Sequence, residues 1–208
     1  MKVLMLCGSP NEQGCTHAAL TEVGKGLKEQ GVDYEILHIH GAVRGCTGCM
    51  SCSKTGSPRC VYGEDPVNLA IERMAECDGL VIGSPVHYAS PAGNLVAFLD
   101  RMFFAGGETF AHKPGAAVVS ARRAGTTASL DVLNKYFTIS QMPIVPSIYW
   151  NMVHGSAPAD VAKDGEGLQI MRQLGRNMGW MIKCFALARE QGLTPPEREK
   201  RVRTNFIR

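Results

Sequence analysis

The 208-residue sequence predicts a three-layer α/β/α domain built on a doubly wound, five-stranded parallel sheet. Short apolar segments alternate with segments of helical periodicity along the whole chain, which is typical of βα units. The apolar segments are nearly continuous, as expected for strands covered on both faces. Two of them also end in the same Gly-Ser-Pro tripeptide.

The first half of the chain predicts two strands and two helices. An apolar run over residues 3–6 predicts a buried strand, and the periodic segment 15–30 predicts a helix. Residues 33–40 alternate apolar and polar positions, which predicts the second strand. Segment 66–77 is predicted to be helical, with Asp65 as its N-cap before Pro66.

The second half continues the alternation. Apolar runs predict the third strand at 79–83, the fourth at 115–120 and the fifth at 144–148. Periodic segments predict helices at 94–104, 126–139 and 165–188. Residues 1–188 therefore form the expected domain, with a cysteine-rich insertion at 44–60 and a basic tail or oligomerisation arm at 189–208.

Charge and hydropathy exclude several classes of protein. The chain has 22 Lys and Arg against 19 Asp and Glu, and residues 189–208 hold six and three of these, so residues 1–188 are neutral with 16 of each. The folded domain thus lacks the basic stripe that nucleic-acid binding needs. No apolar run approaches the roughly 20 residues of a membrane span, and the start predicts a strand and not a signal peptide. We expect a cytoplasmic protein.

The loops after the first and third strands are the strongest functional signal. In the strand order 2-1-3-4-5 these strands are neighbours, and ligands bind at the carboxyl ends of such strands. The first loop leads into a helix, whose N-terminal amides favour an anion. It has no P-loop or Rossmann glycine pattern, so a terminal monophosphate fits it best. The candidate phosphate ligands are Ser9, Pro10, Asn11, Cys15 and Thr16.

The other loops offer a flat apolar ligand a place to lie. Pro85, Val86, His87 and Tyr88 follow the third strand, and an aromatic ring such as Tyr88 can stack on an isoalloxazine. Ser120, Arg122 and Gly125 follow the fourth strand, where glycine permits close approach and arginine can stabilise a reduced flavin. Tyr149 and Trp150, expected after the fifth strand, are candidates for a wall or a subunit interface.

These residues resemble the flavodoxin-like NAD(P)H-dependent FMN reductases, especially the iron–sulfur flavoprotein branch. The resemblance covers about residues 1–188 and rests on Gly8-Ser9-Pro10 with Thr16, on residues 83–88 followed by 94–101, and on the cysteine run. It implies noncovalent FMN, with its phosphate in the first loop and its ring between the second and third. The family usually has Asn where this chain has Cys15, which implies a contact through the backbone there.

Four of the eight cysteines crowd into fifteen residues as C-x₂-C-x₂-C-x₇-C. Cys46, Cys49, Cys52 and Cys60 are candidate ligands of a [4Fe–4S] cluster, since three close cysteines can hold one side of a cubane and a fourth can close it. Iron–sulfur flavoproteins have a similar motif, usually with a shorter last gap. A zinc site with four thiolates and a thiol-rich loop without metal remain alternatives.

The leading hypothesis is an NAD(P)H:acceptor oxidoreductase that passes hydride from nicotinamide through flavin N5. Candidate acceptors are quinones, nitro or azo compounds, free flavin or a protein partner, and no catalytic side chain is required. The alternatives are an iron–sulfur flavoprotein that carries electrons between proteins, and a non-catalytic thiol or zinc regulatory module. The resemblance also implies a homodimer or homotetramer.

Overall fold

A computed structural model of the protein describes residues 1–199 together with Val202, Thr204 and Phe206. The strands are β1 (Lys2–Cys7), β2 (Asp33–His38), β3 (Gly79–His87), β4 (Ser90–Pro91), β5 (Gly115–Ala121) and β6 (Met152–His154). The helices are α1 (Cys15–Glu29), α2 (Ser51–Thr55), α3 (Val67–Ala75), α4 (Gly93–Gly106), α5 (Thr126–Ile139), α6 (Pro158–Val161) and α7 (Gly165–Glu190). A 3₁₀ turn, Gly107–Phe110, follows α4.

Five strands form one parallel sheet in the order β2-β1-β3-β5-β6. Because β4 is a two-residue strand that pairs only with β3, this is the predicted order 2-1-3-4-5 of the long strands. The flavodoxin-like, doubly wound prediction is therefore confirmed.

The two faces of the sheet are covered by different helices, as the alternation of side chains along each strand requires. Leu4 and Leu6 of β1 belong to the core that includes residues of α3, α4 and α5. Val3 and Met5, which point the other way, belong to the core beneath α1 and α7. The three layers follow from this alternation.

The fifth strand lies later in the chain than predicted. Ile144 makes only an isolated bridge to Gly115, and the strand itself is Met152–His154. Pro146 has no N–H to continue a ladder, so the chain leaves the sheet there. It returns where the backbone N–H of Val119 donates to the carbonyl of Asn151 at 3.0 Å.

The third strand is longer than predicted, since β3 continues past Gly83 to His87. Its last residues pair antiparallel with β4, Val86 opposite Pro91 and His87 opposite Ser90. The expected second loop is therefore a β-hairpin, an arrangement that brings its own hydrogen bonds and stiffens the segment.

The predicted helices are present with shifted ends. Helix 66–77 is α3, and its N-cap is Pro66 and not Asp65. The Asp65 carboxylate nevertheless accepts a hydrogen bond from the N–H of Val67 at 3.2 Å, which satisfies one donor of the first turn. α4 extends past the predicted 94–104 to Gly106.

The predicted domain boundary at residue 188 falls inside α7, which ends at Glu190. Beyond it, residues 193–199 have no regular structure, and Arg198 lies 3.3 Å from the carboxylate of Glu108. Six residues of the predicted basic tail lie outside the described residues: Lys200, Arg201, Arg203, Asn205, Ile207 and Arg208. In the described part of the chain, no helix has the length and apolar character of a membrane span.

Candidate functional site

The two Gly-Ser-Pro turns lie side by side at the carboxyl edge of the sheet. β1 and β3 are hydrogen-bonded neighbours, and Cys7 lies opposite Gly83. The N–H of Gly8 donates to the carbonyl of Gly83 at 2.9 Å, so the turns begin in direct contact. The topological switch point of the sheet is therefore bounded by both predicted loops.

The first loop leads into the N-terminus of α1. Ser9 is buried, and its Oγ accepts from the N–H of Asn11 at 3.1 Å. Gly14 is the N-cap of α1, and among the described residues no side chain caps this helix. The amides of the first turn are thus available, and a helix N-terminus with free amides favours an anion such as a phosphate. Pro10 and Asn11 are exposed beside it.

Thr16 links the first loop to the third. Its hydroxyl lies 2.8 Å from that of Ser120 at the end of β5, and both residues are buried. A buried hydroxyl pair fixes both side chains, because breaking it would leave unsatisfied polar groups. The start of α1 and the end of β5 are therefore held in one position.

Cys15 turns away from the front of the loop. Its thiol approaches the carbonyl of Gly155 at 3.6 Å, and burial raises the pKa of this thiol. A neutral thiol directed at another loop is poorly suited to bind a phosphate. The residue can contribute its backbone N–H, which is the contact that the sequence predicts.

The hairpin β3–β4 carries the predicted aromatic residue on its tip. Tyr88 has φ 58° and its side chain is fully exposed, in contact with little of its own chain. His87 is also exposed. At the base, the Oγ of Ser84 accepts from the N–H of Ala92 at 3.0 Å, which ties the hairpin to the start of α4.

Gly125 brings the third loop against this hairpin. It has φ +90°, and a Cβ placed on it would lie 2.7 Å from the side chain of Val86 and 3.1 Å from the carbonyl of Tyr88. A side chain here would be both strained and obstructed. The second and third loops thus meet at this glycine, while Arg122 remains exposed.

The aromatic pair Tyr149 and Trp150 lies before the last strand and not after it. The two ring centroids are 4.9 Å apart, and both side chains are more than half exposed. The displaced strand accounts for the difference, because the chain passes through 146–151 outside the sheet before β6 begins.

The four predicted cysteine ligands line one cavity. Cys46, Cys49, Cys52 and Cys60 surround it together with Tyr62, Arg101 and Phe104. None of the four is fully buried, and all are free thiols. Among the described residues, however, no three His, Cys, Asp or Glu side chains converge closely enough to hold one metal ion. The residue types fit a thiolate-bound cluster, but this geometry does not draw the sulfurs together.

Cys49 lies at the exposed side of this cavity. Hydrogen bonds from the side chain and backbone of Ser51 hold the pKa of Cys49 below its ordinary value. A thiolate is the form that binds metals and attacks electrophiles.

Residues 44–65, which include the four cysteines, are called the cysteine segment. Arg101 attaches this segment to the rest of the domain. The side chain is fully buried, and its Nε donates to the Sγ of Cys60 at 3.2 Å. Its terminal nitrogens donate to the carbonyl of Arg44 at 3.2 Å and to that of Tyr62 at 2.8 Å, and it pairs with Asp65. One guanidinium therefore joins both ends of the segment to α4.

Two asparagines complete the attachment. Asn94, also on α4, accepts from the N–H of Val43 at 2.8 Å and donates to the carbonyl of Gly41 at 2.9 Å. Asn68 on α3 accepts from the N–H of Cys60 and donates to its carbonyl, at 2.8 and 3.0 Å. The segment is thus positioned by polar contacts and not by an apolar core of its own.

Sequence reasoning used Asn94 and Arg101 only as the ends of a segment that carries the family resemblance, and predicted no contact for them. It did not single out Asn68, or His38, which contacts the Ser9 carbonyl. One signal was available, since Asn94 and Arg101 are seven residues apart and therefore share a face of α4. No local pattern indicates what that face contacts.

Comparisons with known proteins give a family match and several related sequences. Residues 1–157 match the model of the NADPH-dependent FMN reductase family. An iron-sulfur flavoprotein of Methanocaldococcus jannaschii is 28% identical over 194 residues, which are 89% of this chain and 99% of that protein. A second iron-sulfur flavoprotein of the same organism is 26% identical over 188 residues, 83% of this chain and 92% of that one.

Solved structures share the fold at lower identity. An NAD(P)H:quinone oxidoreductase from Methanothermobacter marburgensis superposes with a TM-score of 0.64 at 17% identity, over 86% of this chain and 96% of that one. A flavodoxin from the domain Archaea superposes with a TM-score of 0.59 at 15% identity, over 88% and 99%.

Proposed function

Since the chain belongs to the NADPH-dependent FMN reductase family, we propose that it is an FMN-dependent oxidoreductase that takes hydride from NAD(P)H and passes the electrons to a small-molecule or protein acceptor. The proposed small-molecule electron acceptors are quinones, nitro or azo compounds and free flavin. The observation that carries the proposal is the contact of the two Ser-Pro turns in front of the uncapped N-terminus of α1.

The residues divide the work of binding between phosphate and ring. The amides at the start of α1, together with Ser9 and Asn11, receive the phosphate. The second and third loops are in contact at Gly125, and the ring is proposed to lie beside them, next to the hairpin tip at Tyr88. Bound FMN supplies the redox chemistry, and the protein orients it and shields it from water.

Titration of the apoprotein with FMN tests the binding site. We expect the flavin fluorescence to change to saturation, and we expect FMN to bind at least about tenfold more tightly than riboflavin, because charge-assisted hydrogen bonds to the phosphate are roughly worth 1.5–3 kcal/mol. Riboflavin is the matched control, since it lacks only the phosphate. Equal affinity for both ligands would contradict the assignment of the first loop, and no binding of either would refute the function.

Anaerobic mixing of the FMN-loaded protein with NADPH or NADH tests the reaction. The proposal expects loss of the oxidised flavin absorbance with at least one nucleotide, followed by recovery when a quinone is added. If neither nucleotide reduces the flavin while dithionite does, the protein is a carrier and not an NAD(P)H oxidoreductase.

A second candidate, an electron carrier with a [4Fe–4S] cluster beside FMN, is favoured by the four cysteines that line one cavity. The iron-sulfur flavoproteins similar to this chain support it as well. Cluster binding would require the cysteine segment to draw its four sulfurs together.

Anaerobic reconstitution with ferric iron, sulfide and a thiol reductant tests this candidate. We expect the protein to take up iron and sulfide in equal amounts, and the variant Cys60→Ser to lose most of both, because serine binds iron less strongly than a thiolate. Cys184→Ser, an exposed position on α7, is the matched control and should behave as the unmodified protein. Uptake of zinc in place of iron, or no uptake at all, would contradict the cluster.

A further inference from the structure

His38 connects the end of β2 to the first loop. It is the last residue of β2 and pairs with Cys7, so its ring lies beside the turn that follows β1. Its Nε2 lies 2.6 Å from the carbonyl oxygen of Ser9. A carbonyl oxygen only accepts hydrogen bonds, so Nε2 must carry the proton.

His40 occupies the other side of this ring. The Nδ1 of His38 lies 3.1 and 3.2 Å from the two ring nitrogens of His40, and the rings meet edge to face with centroids 4.2 Å apart. In neutral His38 the proton is on Nε2, so Nδ1 accepts a hydrogen bond from His40. The geometry therefore defines a chain from His40 through His38 to the Ser9 carbonyl.

The surroundings of His38 keep it neutral until the solution is acidic. Its pKa is lowered by burial, the largest cause, and raised by the Ser9 carbonyl. His40 beside it and His17 on α1 lower this pKa further, while Glu12 in the first loop raises it. These are the charged and titratable groups that face the ring from β2, α1 and the loop.

The first loop itself lacks a cation. Residues 9–16 contain no Lys or Arg, and their one charged residue is Glu12. A phosphate in this loop would therefore be held by amides and hydroxyls alone while His38 is neutral. Protonated His38 would add a positive charge directly behind Ser9.

We propose that His38 is a positioning residue for the phosphate of FMN. When His38 is neutral it holds the Ser9 carbonyl in place, and when His38 is protonated it also supplies the positive charge that the loop lacks. This inference rests on the proposed function, because it requires FMN in the first loop. By linkage, His38 binds its proton more tightly in the FMN complex than in the free protein.

Protonation of His38 is expected to raise the affinity for FMN as the pH falls. The pKa of His38 is higher in the complex, so the gain in affinity is complete below the pKa of the free protein and is lost as the pH rises through the pKa of the complex. The phosphate has an opposite effect of its own, since it gains a proton near pH 6 and then binds less strongly. A variant that cannot titrate at position 38 separates the two.

The test compares the unmodified protein with His38→Gln by titrating each apoprotein with FMN from about pH 8 to about pH 5.5. Glutamine keeps an N–H for the Ser9 carbonyl but has no charge, so we expect similar FMN affinity at the alkaline end. At the acidic end we expect the unmodified protein to bind FMN up to roughly fivefold more tightly than the variant, the upper effect of a charge pair that solvent screens.

Two controls isolate the phosphate and the position. Riboflavin should show no such pH-dependent difference between the two proteins. The control for position is His112→Asn. His112 lies beside a cavity with Lys113 and Pro114 and has a left-handed backbone conformation, which asparagine tolerates. This variant should show the same FMN affinity as the unmodified protein at each pH.

The outcomes distinguish this inference from the proposed function. If FMN fails to bind the unmodified protein at every pH, the proposed function itself is wrong. If both proteins bind FMN with the same affinity at every pH, or if the pH-dependent difference between them is the same for riboflavin, His38 does not serve the phosphate. If His38→Gln weakens FMN binding equally at both ends of the range, the role is only structural and the charge is not used.

Discussion

Arg101→Met is expected to lower the free energy of unfolding by about 3–5 kcal/mol, because removing one partner of a buried ion pair leaves the other charge uncompensated. The Arg101 side chain has no exposed surface and that of Asp65 is 10% exposed, so water cannot replace the lost contact. The carbonyls of Arg44 and Tyr62 and the Sγ of Cys60 lose a donor at the same time. Urea unfolding measures the total effect.

Hydrogen exchange locates the effect within the molecule. In Arg101→Met we expect amide exchange to become faster than in the unmodified protein within the cysteine segment, and to change less in β1 and β3. The reason is that the guanidinium joins that segment to α4. Arg101→Lys keeps the charge but not the planar fork, and should recover only part of the stability.

The matched control is Arg176→Met on α7. Arg176 also pairs with a carboxylate, that of Glu29 at 2.5 Å, but both side chains are more than 40% exposed. Exposed pairs contribute little to stability, because solvent screens them. If the two methionine variants lose the same stability, then Arg101 does not act as a buried anchor.

Gly175→Ala is expected to destabilise the protein by about 2–3 kcal/mol, at the upper part of the range for overpacking, because the neighbouring atoms are backbone. A Cβ on Gly175 would lie 2.1 Å from the carbonyl oxygen of Val23 and 2.9 Å from the amide nitrogen of Leu27. Neither atom can move unless α1 and α7 separate. Thermal unfolding and urea unfolding both measure the loss.

Gly165→Ala provides the comparison within the same helix. Gly165 is the first residue of α7, and a Cβ there would meet no atom within 4 Å. The unfolded chain becomes less free, so this variant is expected to be neutral or stabilising by up to about 1 kcal/mol. A loss of stability at Gly165 equal to that at Gly175 would show that helix contact is not the cause.

The predictions that succeeded depend on local patterns. Alternating segments and right-handed crossovers predict a doubly wound parallel sheet, and in its flavodoxin-like order the strands that end in the two Ser-Pro turns are neighbours. Their contact at Gly8 and Gly83 agrees with that reasoning. The contacts of FMN with individual loop residues stay predictions.

The predictions that failed depend on partners distant in sequence. β3 extends to His87 because β4 pairs with it, and the last strand begins at Met152 because the register beside β5 resumes there. An apolar run such as 144–148 satisfies the strand pattern equally well, and only the position of Pro146 against the edge of β5 interrupts it.

The sequence by itself determined the fold class and the place of the candidate phosphate loop, since these follow from periodicity, chain connectivity and the properties of single residues. The order of the strands came from the flavodoxin-like form of that class. Only the tertiary structure decided that Arg101 anchors the cysteine segment and that His38 contacts Ser9. The contact of Arg101 with Arg44 spans 57 residues of sequence, and the contact of His38 with Ser9 spans 29. Whether buried groups form hydrogen bonds and ion pairs depends on differences in distance of a few tenths of an ångström. These distances are set by the packing of the whole domain and not by a local pattern.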